Sequence, residues 1–151
     1  MAEGLFRAEG GGSFEIFSAG TKPGSVRPEA IAVMQEIGID LSGHRSKSVD
    51  EFSGQSFDYV VTVCDNARDA CPVFPAGAQR IHWSFEDPAA VQGGELERLA
   101  AFRHIRDRIH ERVRAFYRER AAAARRTREA APAGARRAPP PVICRRGGPY
   151  P

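Results

Sequence analysis

The sequence has no apolar run near the roughly 20 residues that span a bilayer, and no basic segment followed by a short apolar run opens it. Neither membrane insertion nor secretion is signalled, and the expected compartment is the cytoplasm. Cysteine is scarce, with three in 151 residues. That excludes a disulfide-built scaffold, and in a cytosolic chain such cysteines are expected to be reduced, catalytic or metal-binding. Acidic residues are nearly missing from the last part of the chain: 121–151 holds seven basic residues and one acidic, a net +6, against 15 basic and 18 acidic in 1–120, a net −3. The overall +3 therefore belongs to the tail and not to the body of the protein. In that tail Ala, Arg, Pro and Gly fill 25 of 31 positions, Pro139-Pro140-Pro141 forbids a regular helix, and no apolar periodicity is present to bury. It is expected to be disordered. Its only aromatic residue is Tyr150, so it lacks the interleaved rings that stack on bases, and a nucleic-acid partner is not expected.

What is present in 1–120 is an alternation of β-branched or aromatic runs with helical patterns, as a parallel α/β domain requires. Residues 14–20 and 57–63 read as strands, the second apolar enough to be buried on both faces, and 79–83 as a third. A helix is expected from Pro28, with Ile31, Met34 and Ile37 on one face and Gly38 as its stop. Residues 46–52 form a polar turn with room for one helical turn. The last helix covers 95–118, with Leu96, Leu99, Phe102, Ile105, Ile109, Val113 and Phe116 at steps of three or four. Helical signal also opens the chain, where Leu5 and Phe6 stand beside polar neighbours. A parallel α/β domain normally opens with a strand, so a first strand is missing from this pattern.

The chemistry-bearing residues lie after the strands, where ligands of open α/β sheets collect. Cys64 follows the buried strand directly, and Cys71 comes seven residues later, ahead of Pro72. Six intervening residues and no second Cys/His pair make this a poor metal site. If 65–71 is helical, the two Cα atoms are about 10 Å apart, beyond the roughly 7 Å a disulfide tolerates. A redox pair here therefore requires the segment to unwind, and Asp65, Asn66 and Asp69 suit it to that. A buried small cysteine with an incidental second one is an equal reading of the spacing. Asp87, in Phe85-Glu86-Asp87-Pro88, reads first as a turn residue and second as a general acid toward a bound oxyanion. His44 and His82 read as hydrogen-bonded loop and strand-end residues, and His104 and His110 do not share a helix face. Cys144, in the low-complexity tail, is given no role.

Taken in order, Met1-Ala2-Glu3-Gly4, Phe17-Ser18-Ala19-Gly20-Thr21, Gly38-Ile39-Asp40-Leu41-Ser42-Gly43-His44, Val60-Val61-Thr62-Val63-Cys64-Asp65-Asn66, Cys71-Pro72 and His82-Trp83-Ser84-Phe85-Glu86-Asp87-Pro88 resemble the thioredoxin-coupled arsenate reductases built on the low-molecular-weight protein tyrosine phosphatase fold. The resemblance covers about residues 1–118. It implies a four-stranded parallel sheet flanked by helices, and a cysteine relay acting on the arsenate oxyanion. A first cysteine, heading a Cys-x5-Arg loop, would attack arsenate. Cys64 would then attack the cysteine-arsenate adduct, and Cys71 would attack Cys64, leaving a Cys64–Cys71 disulfide for thioredoxin to reduce. Asp87 matches the general acid. The resemblance implies no cofactor and no metal beyond thioredoxin as reductant, and the chain is expected to act as a cytoplasmic monomer.

The departure from that pattern is the first strand and its Cys-x5-Arg loop. No cysteine of this sequence has an arginine six residues on. An N-terminally truncated reductase is therefore expected, a domain over 1–120 followed by the 121–151 tail. It is inactive toward arsenate as written, an expectation that arsenite release with thioredoxin would overturn. In the resembled fold the missing strand lies between two others, so its loss is expected to leave unpaired strand edges and a gap in the core. Two alternatives stand beside this reading: a phosphatase-like hydrolase, and a non-catalytic remnant that binds a partner.

Overall fold

The computed structural model describes residues 1–21, 24–63, 78–130 and 141–145, with 124–130 and 141–145 described by their backbone. Helix α1 (Ala2–Gly10) places Glu3 in its first turn and Arg7 in its last, as the helix dipole favours, and Gly11 at φ +50° supplies a left-handed cap. Strand β1 (Phe17–Gly20) follows and is shorter than the 14–20 run suggested. Helix α2 (Pro28–Gln35) starts on its proline, and its buried face is Ala30, Val33 and Met34. Ile37, expected on that face, is 38% exposed. It lies past the last helical turn, where Gly38 at φ +75° reverses the chain and Ile39 N–H returns to the Met34 carbonyl. The polar segment 46–52 contains one 3-10 turn, Val49–Phe52, closed by a Ser48/Glu51 capping box.

Strands β2 (Tyr59–Thr62) and β3 (Gln79–His82) come next, then a 3-10 turn at Pro88–Ala90 and helix α3 (Glu95–Ala130). Along α3 the residues Phe102, Ile105, Ile109, Val113 and Phe116 are buried as their spacing predicts, whereas Leu96 is 79% exposed. Leu96 stands in the first turn, before the helix reaches the sheet. Strand β4 (Pro141–Arg145) completes a four-stranded parallel sheet of order β1-β4-β2-β3.

The sheet separates two clusters, because successive residues of a strand face opposite ways. Val61 and Val63 join Leu5, Phe6, Met34, Phe102, Ile105 and Phe116 beneath α1, α2 and α3. Val60 joins Ala19, Val49, Phe52 and Phe57 on the other face. Among the described residues, no helix is long and apolar enough to cross a membrane.

Two expectations about the tail need correction. Residues 121–130 continue α3 instead of forming irregular chain. The run Ala121-Ala122-Ala123-Ala124-Arg125-Arg126 has no apolar stripe, but it consists of the strongest helix formers and holds no proline, so a helix already propagating runs through it. Residues 141–145 form a strand, and that strand lies between β1 and β2. The gap anticipated from a missing first strand is filled by the end of the chain.

Gly10 shows how closely α1 and α3 pack. A Cβ there would collide with the Tyr117 phenol, which donates to the Phe6 carbonyl at 2.8 Å. Burial, with a further push from the Glu9 carboxylate, raises Tyr117 to about 12. Gly10→Ala is expected to expel the phenol, cost on the order of 1 kcal/mol, and return Tyr117 towards an ordinary tyrosine titration. Ultraviolet titration of Tyr117 in the variant checks this, and an unmoved titration would contradict it.

Candidate active site at the carboxyl edge of the sheet

The parallel strands all end on the same edge, and paired positions set one row across it: Ala19 beside Cys144, Cys144 beside Thr62, and Thr62 beside His82. Thr62 Oγ1 and His82 Nδ1 are 2.7 Å apart, so His82 is the hydrogen-bonded strand-end residue its position suggested. Trp83 N–H donates to the Thr62 carbonyl at 2.8 Å and holds the two strand ends together beyond the ladder.

Val63 is buried and is the last described residue before Cys64. Cys64 and Cys71 lie outside the described residues. Asp87 is exposed at the N-cap of the Pro88–Ala90 turn, and its Oδ1 accepts the Ala89 N–H at 2.9 Å. The turn role of this aspartate is thus directly visible. It also fixes a carboxylate in the loop that leaves β3. Cys144 sits at a register position in the row of Ala19, Thr62 and His82, although sequence reasoning gave it no place in the fold. Among the described residues, no three His, Cys, Asp or Glu side chains converge as a metal site.

Sequence reasoning also missed a buried carboxylate at the end of β1. Glu3, in the first turn of α1, is 2% exposed. It accepts the Ser18 hydroxyl and pairs with Arg7 at 2.6 Å, Lys47 at 3.4 Å and, more distantly, His44 at 3.8 Å. Burial by itself would raise Glu3; the Ser18 hydrogen bond and the Lys47, Arg7 and His44 charges outweigh it and hold the carboxyl below its ordinary value. Burial lowers His44, and Arg7, the chain's amino group and Lys47 add to that, against the opposing pull of Glu3. Lys47 also anchors the end of β1, since its carbonyl accepts the Gly20 N–H at 2.9 Å. The one local trace of this cluster is the i, i+4 spacing of Glu3 and Arg7.

The fold is that of a parallel α/β domain, a class whose ligands collect at the carboxyl edge of the sheet. Comparison with known proteins identifies the family. Residues 1–128 match the profile of the low molecular weight phosphotyrosine protein phosphatase family, and the chain belongs to that family. It is 41% identical over 116 residues to an arsenate reductase of Halalkalibacterium halodurans, covering 77% of this chain and 84% of the relative. It is 40% identical over 116 residues to an arsenate reductase of Bacillus subtilis, with the same coverage. Among solved structures it resembles an arsenate reductase in the oxidized state, with a TM-score of 0.64 and 32% identity over 74% of this chain and 81% of that one. An arsenate reductase in the phosphate binding state gives a TM-score of 0.61 at 31% identity, covering 78% and 86% of the two chains.

Proposed function

We infer that this chain is of the arsenate reductase type, with Cys64 and Cys71 as the consecutive later thiols of a cysteine relay that thioredoxin regenerates, and that as written it does not reduce arsenate, because it contains no Cys-x5-Arg motif. The observation that carries the reading is Cys64-x6-Cys71 placed directly after the carboxyl end of a buried parallel strand, in a chain about 40% identical to arsenate reductases. A hydrolase of the phosphatase type has no use for a second and third thiol.

The relay begins with arsenate held as an adduct on a first cysteine. The Cys64 thiolate attacks the sulfur of that adduct; a disulfide forms, the sulfur–arsenic electron pair stays on arsenic, and arsenite leaves. The Cys71 thiolate then attacks the Cys64 sulfur and expels the first cysteine as a thiolate. Two thioredoxin thiols reduce the resulting Cys64–Cys71 bond and are themselves oxidised to a disulfide. Asp87 is the group that protonates the leaving oxygen when the first adduct forms, and its exposed position in the loop after β3 leaves it open to a bound oxyanion. In this reading the protein works as a cytoplasmic monomer with thioredoxin as its protein partner. The first cysteine heads a Cys-x5-Arg loop, a motif the present sequence does not contain, so the test addresses the two later thiols.

Oxidised with diamide and digested, the chain is expected to yield a peptide pair joined through Cys64 and Cys71. Thioredoxin with its reductase and NADPH is expected to reduce that bond faster than glutathione does. Cys71→Ser should abolish the joined pair while leaving the thermal transition unchanged. Absence of the Cys64–Cys71 peptide, or its resistance to thioredoxin, would overturn the proposal.

A further inference from the structure

The β2–β3 ladder is short, Tyr59 to Thr62 against Gln79 to His82, and a short ladder frays at its ends unless something ties them. Both ends are tied. At the amino end Arg120 donates to Gln79 Oε1 at 3.1 Å and to the Tyr59 hydroxyl at 3.5 Å. At the carboxyl end Thr62 Oγ1 and His82 Nδ1 share a hydrogen bond at 2.7 Å, and Trp83 N–H donates to the Thr62 carbonyl at 2.8 Å. The inner rungs, Val60 beside Arg80 and Val61 beside Ile81, form no such side-chain pair, because valine offers no polar atom.

Thr62 is thus held to β3 by side chain and main chain at once, and what it is fastened to does not give. Trp83, the residue after His82, is 4% exposed. Its ring lies parallel to Phe6 at 5.7 Å and edge-on to Phe85 at 6.3 Å and Phe116 at 6.5 Å. Val63, the residue after Thr62, is buried in the same cluster. Cys64 follows Val63 directly, and Asp87 comes five residues after His82. One hydrogen-bonded rung therefore stands at the root of both the thiol segment and the loop that carries Asp87.

The slack that this rung withholds is large on the scale of the relay. A helical 65–71 would leave the Cys64 and Cys71 Cα atoms about 10 Å apart, against the roughly 7 Å that a disulfide accepts. Closure then needs a displacement of about 3 Å. Releasing residues 62 and 63 from β3 would add up to about 7 Å of free chain on the Cys64 side, more than closure itself requires. Two wandering thiols meet at a lower effective concentration than one held thiol and one mobile one.

We propose that Thr62 and His82 are positioning residues of the thiol relay: their hydrogen bond keeps Cys64 at the carboxyl edge of the sheet while the chain beyond it rearranges to form the Cys64–Cys71 disulfide. The proposal rests on the relay reading above, and adds to it two residues that act through the backbone of β2.

A thiol–disulfide equilibrium on the full chain tests it. In glutathione buffers one glutathione disulfide takes two electrons from the Cys64 and Cys71 thiols, leaving two glutathione thiols and the protein disulfide. The fraction of joined Cys64–Cys71 peptide, read by mass spectrometry after acid quenching and digestion, gives the equilibrium constant. Thr62→Val and His82→Phe each remove one side of the bond and are expected to lower that constant about fivefold. The double variant is expected to lower it no further, because the two side chains share one interaction. Thr62→Ser and His82→Asn keep a hydrogen-bonding atom in place and are expected to restore it. Tyr117→Phe removes the hydroxyl bonded to the Phe6 carbonyl; it controls for a general loss of stability and is expected to leave the constant unchanged. If Thr62→Val and His82→Phe do not move the constant, if their losses add in the double variant, or if Tyr117→Phe lowers it as much as they do, the proposal is overturned while the relay reading stands. If the natural chain forms no Cys64–Cys71 disulfide, the relay reading itself falls and takes the proposal with it.

Discussion

Phe6→Ala is expected to lower stability by about 4 kcal/mol, the range found when a fully buried ring is truncated. Phe6 is 0% exposed. Its ring lies parallel to Trp83 at 5.7 Å and edge-on to Phe116 at 5.4 Å and Tyr117 at 5.9 Å. One side chain thus joins α1 to α3 and to the end of β3. Removing it leaves a cavity among large rings that cannot move inward together, because Tyr117 is tied to the Phe6 carbonyl and Phe116 also packs on Tyr59. At roughly 3 °C per kcal/mol for a chain of this size, the midpoint should fall by about 12 °C. Trp83 is the only tryptophan, so its fluorescence reports this cluster directly. A shift of only a few degrees would show that α1 does not share the core of the sheet.

Elements that identify themselves locally are legible in the amino-acid sequence alone. Leu5 and Phe6 mark a helix at the start, the 57–63 run marks a buried strand, and the three-and-four spacing from Phe102 to Phe116 marks the face of α3. Each is a short-range pattern whose period matches its geometry. Where local patterns mislead, the deciding contact is distant. Val142-Ile143 is too short a pair to announce a strand among prolines and arginines. Two unpaired edges more than 80 residues away in sequence turn it into one. The same holds for the ends of α3, since periodicity cannot say where a helix meets its sheet. Periodicity therefore places Leu96 inside and stops the helix before its alanine-rich continuation.

The candidate site divides in the same way. The Cys64/Cys71 pair, Asp87 and His82 stand out because they follow strand patterns, and the carboxyl end of a parallel sheet is where chemistry collects. Asp87 carries two readings from the sequence, and its bond to Ala89 N–H shows the turn reading directly without removing the other. Glu3 carries no signal beyond its i, i+4 spacing to Arg7, because nothing in Met1-Ala2-Glu3-Gly4 discloses that Ser18, His44 and Lys47 will close over the carboxylate. A charged residue in the first turn of a helix is ordinarily solvated, and only the tertiary fold makes this one interior.

That buried carboxylate gives the other large effect. Glu3→Gln keeps the shape and an acceptor for the Ser18 hydroxyl, but leaves Lys47, whose side chain is 14% exposed, beside an uncharged partner. Removing one member of a fully buried pair costs about 3–5 kcal/mol. Arg7 is 52% exposed and can turn to water, so a loss of about 2–3 kcal/mol near pH 7 is expected. The pH dependence separates this from a packing defect. The Glu3 carboxyl is lower in the fold than in the unfolded chain, so its contribution is complete above its ordinary value of 4.5 and disappears as pH falls through the depressed folded value. His44 is also held below its ordinary 6.5, chiefly by burial. It therefore favours the unfolded chain progressively as pH drops below 6.5. The natural protein should weaken in two stages on acidification, the first with His44 and the second with Glu3. In Glu3→Gln the second stage should shrink to the part contributed by Glu9, Glu29, Glu36, Asp40 and Glu51, whose carboxyls are also held low by hydrogen bonds. The first should deepen, because the carboxylate that partly supports a protonated His44 is gone while Arg7, Lys47 and the amino group still repel it. Urea midpoints from pH 3 to pH 8 decide the matter: curves that stay parallel throughout would mean that the charge of Glu3 contributes nothing to the fold.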